Sequence, residues 1–457
     1  MSWRSKVRVD IQLSYKVVIP FLSINKWNNF WAVCSARKRY RVPVSVLLYR
    51  WCRLRLKALE EFPLPNRYLQ WAVAALFLTS CFAARAQQPA EPAPQQPASI
   101  PITFPPISGP LSLPRPRSFS LGPLGHWYLG GLGTVIAEGQ NHADIGDATS
   151  RVEFSNAQAF LQKPTGWLQF YFQIGAYNLP SLGAPLYSTA TEVSRLYGPV
   201  PVAYLQITPS ASFNIQAGKL PSIWGGEATF TFQNMNVERG LLWNQTNAIN
   251  RGVQLNYSHR ALTASLSWND GFYSNRWNWL SGAASYALDS KDTLSATAAG
   301  NIGRTGYSTF ATPVFQNNTS VYDLIYTRNS GPWKLQPYFQ YTRLAQLTSI
   351  GADRTTYTLG AAMLLSRSFG RNWSIAARGE IIHNSGKRGG PSLNLLYGPG
   401  SSAGSITLTP AYQRKHGYAR GEFSWVGARS ITIGDGFGPF AGNSSQIRGL
   451  IEAGIMF

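Results

Sequence analysis

The chain has 457 residues, 44% hydrophobic, 13% aromatic and only 13% charged, with 42 glycines and a formal net charge of +21. That balance excludes a chain too polar to collapse. It also excludes a bundle of membrane helices, because no apolar run of about 20 residues follows residue 86. The charge does not indicate nucleic acid. Residues 1–86 hold 15 of the 41 basic and 3 of the 20 acidic side chains, leaving 26 and 17, a net of +9, on the other 371 residues.

In chain order, residues 1–65 have no apolar period and read as an overlong gene start or an extended basic leader. Residues 66–86 join a basic start at Arg67, an apolar segment from Trp71 to Phe82 and the small-residue site Ala84-Arg85-Ala86. That is a secretory signal pattern, cleaved near Ala86/Gln87. A lipoprotein box at Leu78 to Cys81 is the competing reading. All three cysteines (Cys34, Cys52, Cys81) precede the cleavage point, so the exported chain carries no disulfide framework.

Residues 87–124 read as a Pro-rich periplasmic linker, with 10 prolines between Gln88 and Arg117. From 125 to 457 the pattern becomes runs of about ten residues alternating apolar and polar. At the C-terminus Ile447, Gly449, Ile451, Ala453, Ile455 and Phe457 share one face, with Gln446, Arg448, Leu450, Glu452 and Gly454 on the other. Sixteen strands are predicted, at 125–138, 149–161, 165–177, 199–208, 211–219, 250–258, 261–269, 279–288, 292–300, 319–328, 332–342, 355–367, 371–384, 404–413, 417–426 and 446–457.

Their connections alternate strictly between short turns and long loops. An even-numbered antiparallel barrel with short periplasmic turns and long external loops has this asymmetry, whereas a soluble sandwich or propeller does not sort its loops by side. The predicted fold is therefore an all-β, transmembrane up-and-down barrel, closed because an open sheet edge in lipid leaves backbone groups unpaired. On the lipid phase Trp333, Trp373 and Phe457 fall at the short-turn ends, and Trp268, Tyr341 and Trp425 toward the long-loop ends, as interfacial girdles.

Two segments then become familiar: the run from Thr229 through Asn234-Met235-Asn236 and Glu238-Arg239-Gly240 to Gln254, and Ser267-Trp268-Asn269-Asp270-Gly271-Phe272 onward to Gly282. With Gly303-Arg304-Thr305-Gly306, Gln336-Pro337-Tyr338-Phe339-Gln340-Tyr341 and the terminal Phe457, they resemble the OmpL-like family of outer-membrane β-barrel porins over most of residues 120–457. The resemblance implies an outer-membrane diffusion pore for small solutes, but names no substrate. It also implies that Phe457 is read by the barrel assembly machinery.

In a barrel of this size the polar face lines a lumen. Arg378, Glu380, Arg420, Glu422, Arg448 and Glu452 fall on that face, either as a field that sorts solutes by charge or as paired charges that brace the wall. Loop 220–249, the third external loop, carries Trp224, Gly225, Gly226, Glu227, Glu238 and Arg239 and is the candidate constriction; an external loop packed on its neighbours is the alternative. The net +9 weakly favours anions.

The histidines, His126, His142, His259, His383 and His416, show no metal-ligand spacing, so no metal or cofactor is expected. His383-Asn384-Ser385 has the residue types of barrel phospholipases, but neighbours on a strand point to opposite faces, and no enzyme is expected. Two other readings remain: a structural or adhesive surface barrel plugged by residues 88–124, and a soluble secreted protein binding carbohydrate through its aromatics. Outer-membrane lipid is the expected environment. Sixteen-strand porins are often homo-oligomers, and no interface patch identifies one here.

Overall fold

The computed structural model describes residues 105, 107–144, 146–310, 313–388, 390 and 396–457. The leader, the signal segment and the first part of the Pro-rich segment lie outside the described residues.

Seventeen strands form among the described residues: β1 (Arg117–Ser120), β2 (His126–Gln140), β3 (Ser150–Lys163), β4 (Leu168–Tyr177), β5 (Val202–Ser210), β6 (Phe213–Pro221), β7 (Ile249–His259), β8 (Leu262–Asn269), β9 (Trp279–Ala287), β10 (Asp292–Asn301), β11 (Thr319–Ser330), β12 (Trp333–Leu344), β13 (Thr356–Phe369), β14 (Trp373–Asn384), β15 (Ser402–Arg414), β16 (Gly417–Arg429) and β17 (Ser445–Met456). From β2 to β17 each strand pairs antiparallel with the next, and β17 pairs with β2, which closes a sixteen-strand barrel. Each predicted strand overlaps one of these sixteen. The fold is thus the all-β up-and-down barrel expected from the alternation.

Short turns gather at one end of the barrel, at 164–167, 211–212, 260–261, 288–291, 331–332, 370–372 and 415–416, and long loops at the other. The fifth strand runs on to Ser210, past the turn expected at Pro209-Ser210. A register irregularity between Ile207 and Ser210 absorbs Pro209, which has no N–H for a ladder bond.

Outward positions are apolar and bare: Val152, Phe154, Ile406, Phe423 and Ile451 are 54% to 72% exposed. A continuous belt of this kind is an aggregation surface in water and a solvated one in hydrocarbon. The closing seam is completed by Gly131 and Phe457, whose N–H groups each bond the other's carbonyl at 2.8 and 2.9 Å. A Cβ on residue 131 would come within 2.7 Å of the Phe457 ring, so the last side chain packs where only glycine leaves room.

The segment read as linker contains a strand that the sequence did not signal. β1 pairs with the first residues of β2, Arg117 opposite Leu129 and Ser120 opposite His126. It is four residues long and flanked by prolines, below the length at which alternation is readable. Upstream, residues 107–113 lie inside the barrel mouth, with Leu111 buried in a cluster with Leu132, Tyr418 and Met456.

Candidate functional site

The lumen is divided by the loop between β6 and β7, residues 222–248, called L3. It leaves the wall at Pro221, crosses the interior and returns at Ile249. Its start is fixed to β11 and β12: Gly225 N–H donates to Asp323 at 2.9 Å, and Gln336 donates to the Gly226 carbonyl at 2.7 Å. Trp224 is buried at this root and stacks on Trp279 at 5.9 Å.

Beyond the root, L3 spans to the opposite wall and meets the charges that sequence parity places inside. Glu422 accepts the N–H groups of Val237 and Glu238 and the hydroxyl of Thr409. Glu380 accepts the N–H groups of Leu241 and Leu242 at 3.0 and 3.3 Å and the Ser405 hydroxyl at 2.7 Å. Arg378 donates to Glu227 and to the Glu238 carbonyl, both at 2.7 Å, and lies 3.2 Å from Glu380. Arg420 pairs with Glu452, which also accepts from Thr231, and donates to the Asn234 carbonyl. Arg448 holds Glu238 at 2.8 Å, and Ser424 donates to the other oxygen of that carboxylate.

Each carboxylate taken from water here gains charge-assisted hydrogen bonds, the condition under which burial of a charge is tolerated. The backbone N–H groups of L3 supply many of them. This loop has little regular structure of its own, so carboxylates on the wall take the place of a neighbouring strand.

The second long loop, residues 178–201 (L2), folds over this assembly. Leu182 N–H donates to the Arg239 carbonyl and Arg239 N–H to the Pro180 carbonyl, at 2.9 and 3.1 Å. Arg448 donates to the carbonyls of Ser181 and Ala184. Arg239 donates to the Thr229 carbonyl, and its guanidinium lies 4.4 Å from the centre of the Trp243 ring. A helical turn over Thr189–Tyr197 carries Glu192, which is buried, and burial raises its carboxyl to about 8.

All six charged residues expected to line the pore therefore face inward, but none borders open water. Arg378, Glu380, Arg420, Glu422, Arg448 and Glu452 are 5% exposed or less, covered by L3. Parity fixes the face of a strand; it carries no information about what lies against that face. Trp224, Glu227, Glu238 and Arg239, the residues expected at a constriction, all sit in the inserted loop. The six girdle aromatics point outward: Trp268, Trp333, Trp373, Trp425 and Phe457 are exposed and Tyr341 half-buried. His383, Asn384 and Ser385 are separated as strand geometry demands, His383 bonding Ser402 and Asn384 turned inward to Ser401.

The neutral wall, which L3 covers at its long-loop end and leaves uncovered at its short-turn end, went unnoticed in the sequence. From β4 to β10 the inward positions carry no Asp, Glu, Lys or Arg. Gln169, Gln206, Gln216, Gln254, Ser267 and Ser281 stand opposite one another on successive strands. Gln206 donates to Gln169 and Gln216 to Gln206, each at 2.8 Å; Gln254 donates to Asn256, and Asn256 to Asn214. Gln206, Asn214, Gln216, Asn256, Ser265, Ser285, Ser295 and Thr297 are all part-exposed. The signal that could have found this row is the recurrence of neutral polar residues, and the lack of charged ones, on the inward phase of seven successive strands.

A family model described as "Putative beta-barrel porin-2, OmpL-like" matches residues 134–457. Among solved structures the chain is similar to OmpT of Vibrio cholerae, at 10% identity over 73% of this chain and 98% of that one, with a TM-score of 0.49. The outer-membrane channel DcaP of Acinetobacter baumannii is 10% identical over 72% and 97%, with a TM-score of 0.49. OccK3 of Pseudomonas aeruginosa is 8% identical over 72% and 95%, with a TM-score of 0.41. A comparison with curated proteins finds no match.

Proposed function

The chain belongs to the OmpL-like β-barrel porin family of the outer membrane, and from that premise we propose that it forms a passive, water-filled channel for small hydrophilic solutes, without enzymatic activity. One observation carries the proposal. On the short-turn half of β5–β10 the inward side chains Gln206, Asn214, Gln216, Asn256, Ser265, Ser285, Ser295 and Thr297 are part-exposed, while the six charged residues of the facing wall are buried under L3, so this part of the interior is left open. The barrel holds a fixed loop that narrows it and a polar surface beside the loop, the parts a diffusion channel needs.

The anion bias suggested by the net charge is expected to be small. Arg378, Arg420 and Arg448 each hold a carboxylate at salt-bridge distance and project little field into the free part of the lumen. Single-channel recording in planar bilayers tests the proposal. Resolved conductance steps are expected, and silence from a folded barrel refutes it.

A second reading, a plugged structural or adhesive barrel, is favoured by one observation. Ser108 and Gly109 donate to the Gln233 carbonyl, Lys334 donates to the Ser108 carbonyl, and Ser112 exchanges bonds with Gln413. The Pro-rich arm is therefore seated against L3 from below. A Cβ at Gly109 would overlap the Asn234 carbonyl, so Gly109→Ala unseats the arm. Conductance that appears only in that variant establishes the plug; equal conductance in both proteins excludes it.

The proposal includes export with cleavage near Ala86/Gln87, recognition of Phe457 by the assembly machinery, and a lipid-embedded barrel that functions alone or as a homo-oligomer. The N-terminal sequence of the mature protein and its native mass in detergent check the first and last of these.

A further inference from the structure

The uncovered wall differs in chemistry from the covered one. It carries carboxamides and hydroxyls on all seven strands, interspersed with small and apolar side chains such as Ala283 and Ala287, and no ionic group on its inward phase. Each carboxamide offers two donors and an acceptor with two lone pairs. Gln216 donates once, to Gln206, and Asn256 once, to Asn214, which leaves each a donor free to meet a solute.

Tyr204 stands two residues from Gln206 on the same face, half-buried, its ring stacked on Tyr171 at 5.3 Å. It gives the row an aromatic surface against which a C–H face can rest. The paired charges of the interior lie elsewhere and fix L3: Arg378, Arg420 and Arg448 against Glu227, Glu380, Glu452 and Glu238.

From this division the geometry points to uncharged polyhydroxylated solutes, of the chemistry of simple sugars, as the preferred traffic, moving along the row Gln169–Gln206–Gln216–Gln254. The inference rests on the porin reading and adds the substrate class to it. A hydroxyl donates and accepts, so it exchanges its bonds to water for bonds to amides at little net cost. An ion entering beside the same wall gives up part of its hydration and meets no counter-charge in return. A neutral donor–acceptor lining thus discriminates by what it withholds from ions as much as by what it offers to sugars.

The test uses the full exported chain in proteoliposomes, with swelling rates for glucose, gluconate and glucosamine, which share one carbon frame and differ in charge. Glucose is expected to enter about threefold faster or more than either ion, with a reversal potential near zero across a potassium chloride gradient. Gluconate or glucosamine entering as fast as glucose overturns the inference and leaves the pore standing. Entry of none of the three, without conductance, overturns the porin reading itself.

The route is tested by placing one charge on the row. Gln216→Glu is expected to move the reversal potential toward cations and Gln216→Lys toward anions. Barrels of both variants that migrate as folded on unheated gels and show no shift overturn the route. Gln206→Glu, one strand away, replaces either variant if it does not fold, and is read in the same way.

Discussion

The wall made by β13–β17 and β2 and the wall made by β4–β10 have the same backbone, the same alternation and the same lipid on their outer side, but opposite interiors. The first is studded with arginine and glutamate, buried, and joined to L3 through hydrogen bonds that bridge 138 to 221 residues of chain. The second is neutral, part-exposed over its short-turn half and joined there mostly to itself, strand to neighbouring strand. Charge in this barrel is therefore a fastening and its absence an opening. A charged inward residue cannot be assumed to face solute; in this protein the charges on the first wall locate the loop.

The comparison breaks most severely where one partner of a buried pair is removed. Arg378→Ala leaves Glu227 and Glu380 without their shared cation, and the loss is expected to be about 3–5 kcal/mol in denaturant unfolding of the detergent-folded barrel. A loss below about 1 kcal/mol, the range of exposed pairs, would show that the covered wall is solvated after all.

A smaller effect on stability and a larger one on the channel are expected of Gly240→Ala. The added Cβ would overlap the Glu380 carboxylate, which must then release the N–H groups of Leu241 and Leu242. The tip of L3 lifts from the wall, and single-channel conductance rises while the barrel stays folded. Unchanged conductance would show that L3 does not bound the aqueous space.

The smallest effect sharpens the comparison from the side of L2. Burial raises the Glu192 carboxyl to about 8, so the folded protein holds this proton more tightly than the unfolded chain. Its contribution is fully present below the ordinary carboxylate range and is lost as pH rises through about 8. Glu192→Gln mimics the protonated form and is expected to flatten the fall in thermal midpoint between pH 5 and 9, a change of about 2–4 °C. A variant with the slope of the parent would place the pH dependence elsewhere.

The barrel was legible because period two survives at every strand: sixteen alternating runs, sorted turns and a terminal Phe are local patterns. Glu380 and Glu422 were legible as inward by the same parity. That they hold L3 was not, since their partners at Leu241 and Val237 lie far off in the chain and follow no period. The strand Arg117–Ser120 was hidden among prolines. The amide row was in plain view but is made of residues that a search for charge and catalysis passes over, and Gln216 matters through its neighbours on other strands.

The seam between Gly131 and Phe457 has a consequence for the order of events during biogenesis. The edge of β2 finds its second long partner only in β17, some three hundred positions later in the chain. Until then one row of peptide groups on that strand has no mate, a state that hydrocarbon penalises by several kcal/mol per group. Closure therefore waits on β17, and a barrel without that strand presents an unlatched edge.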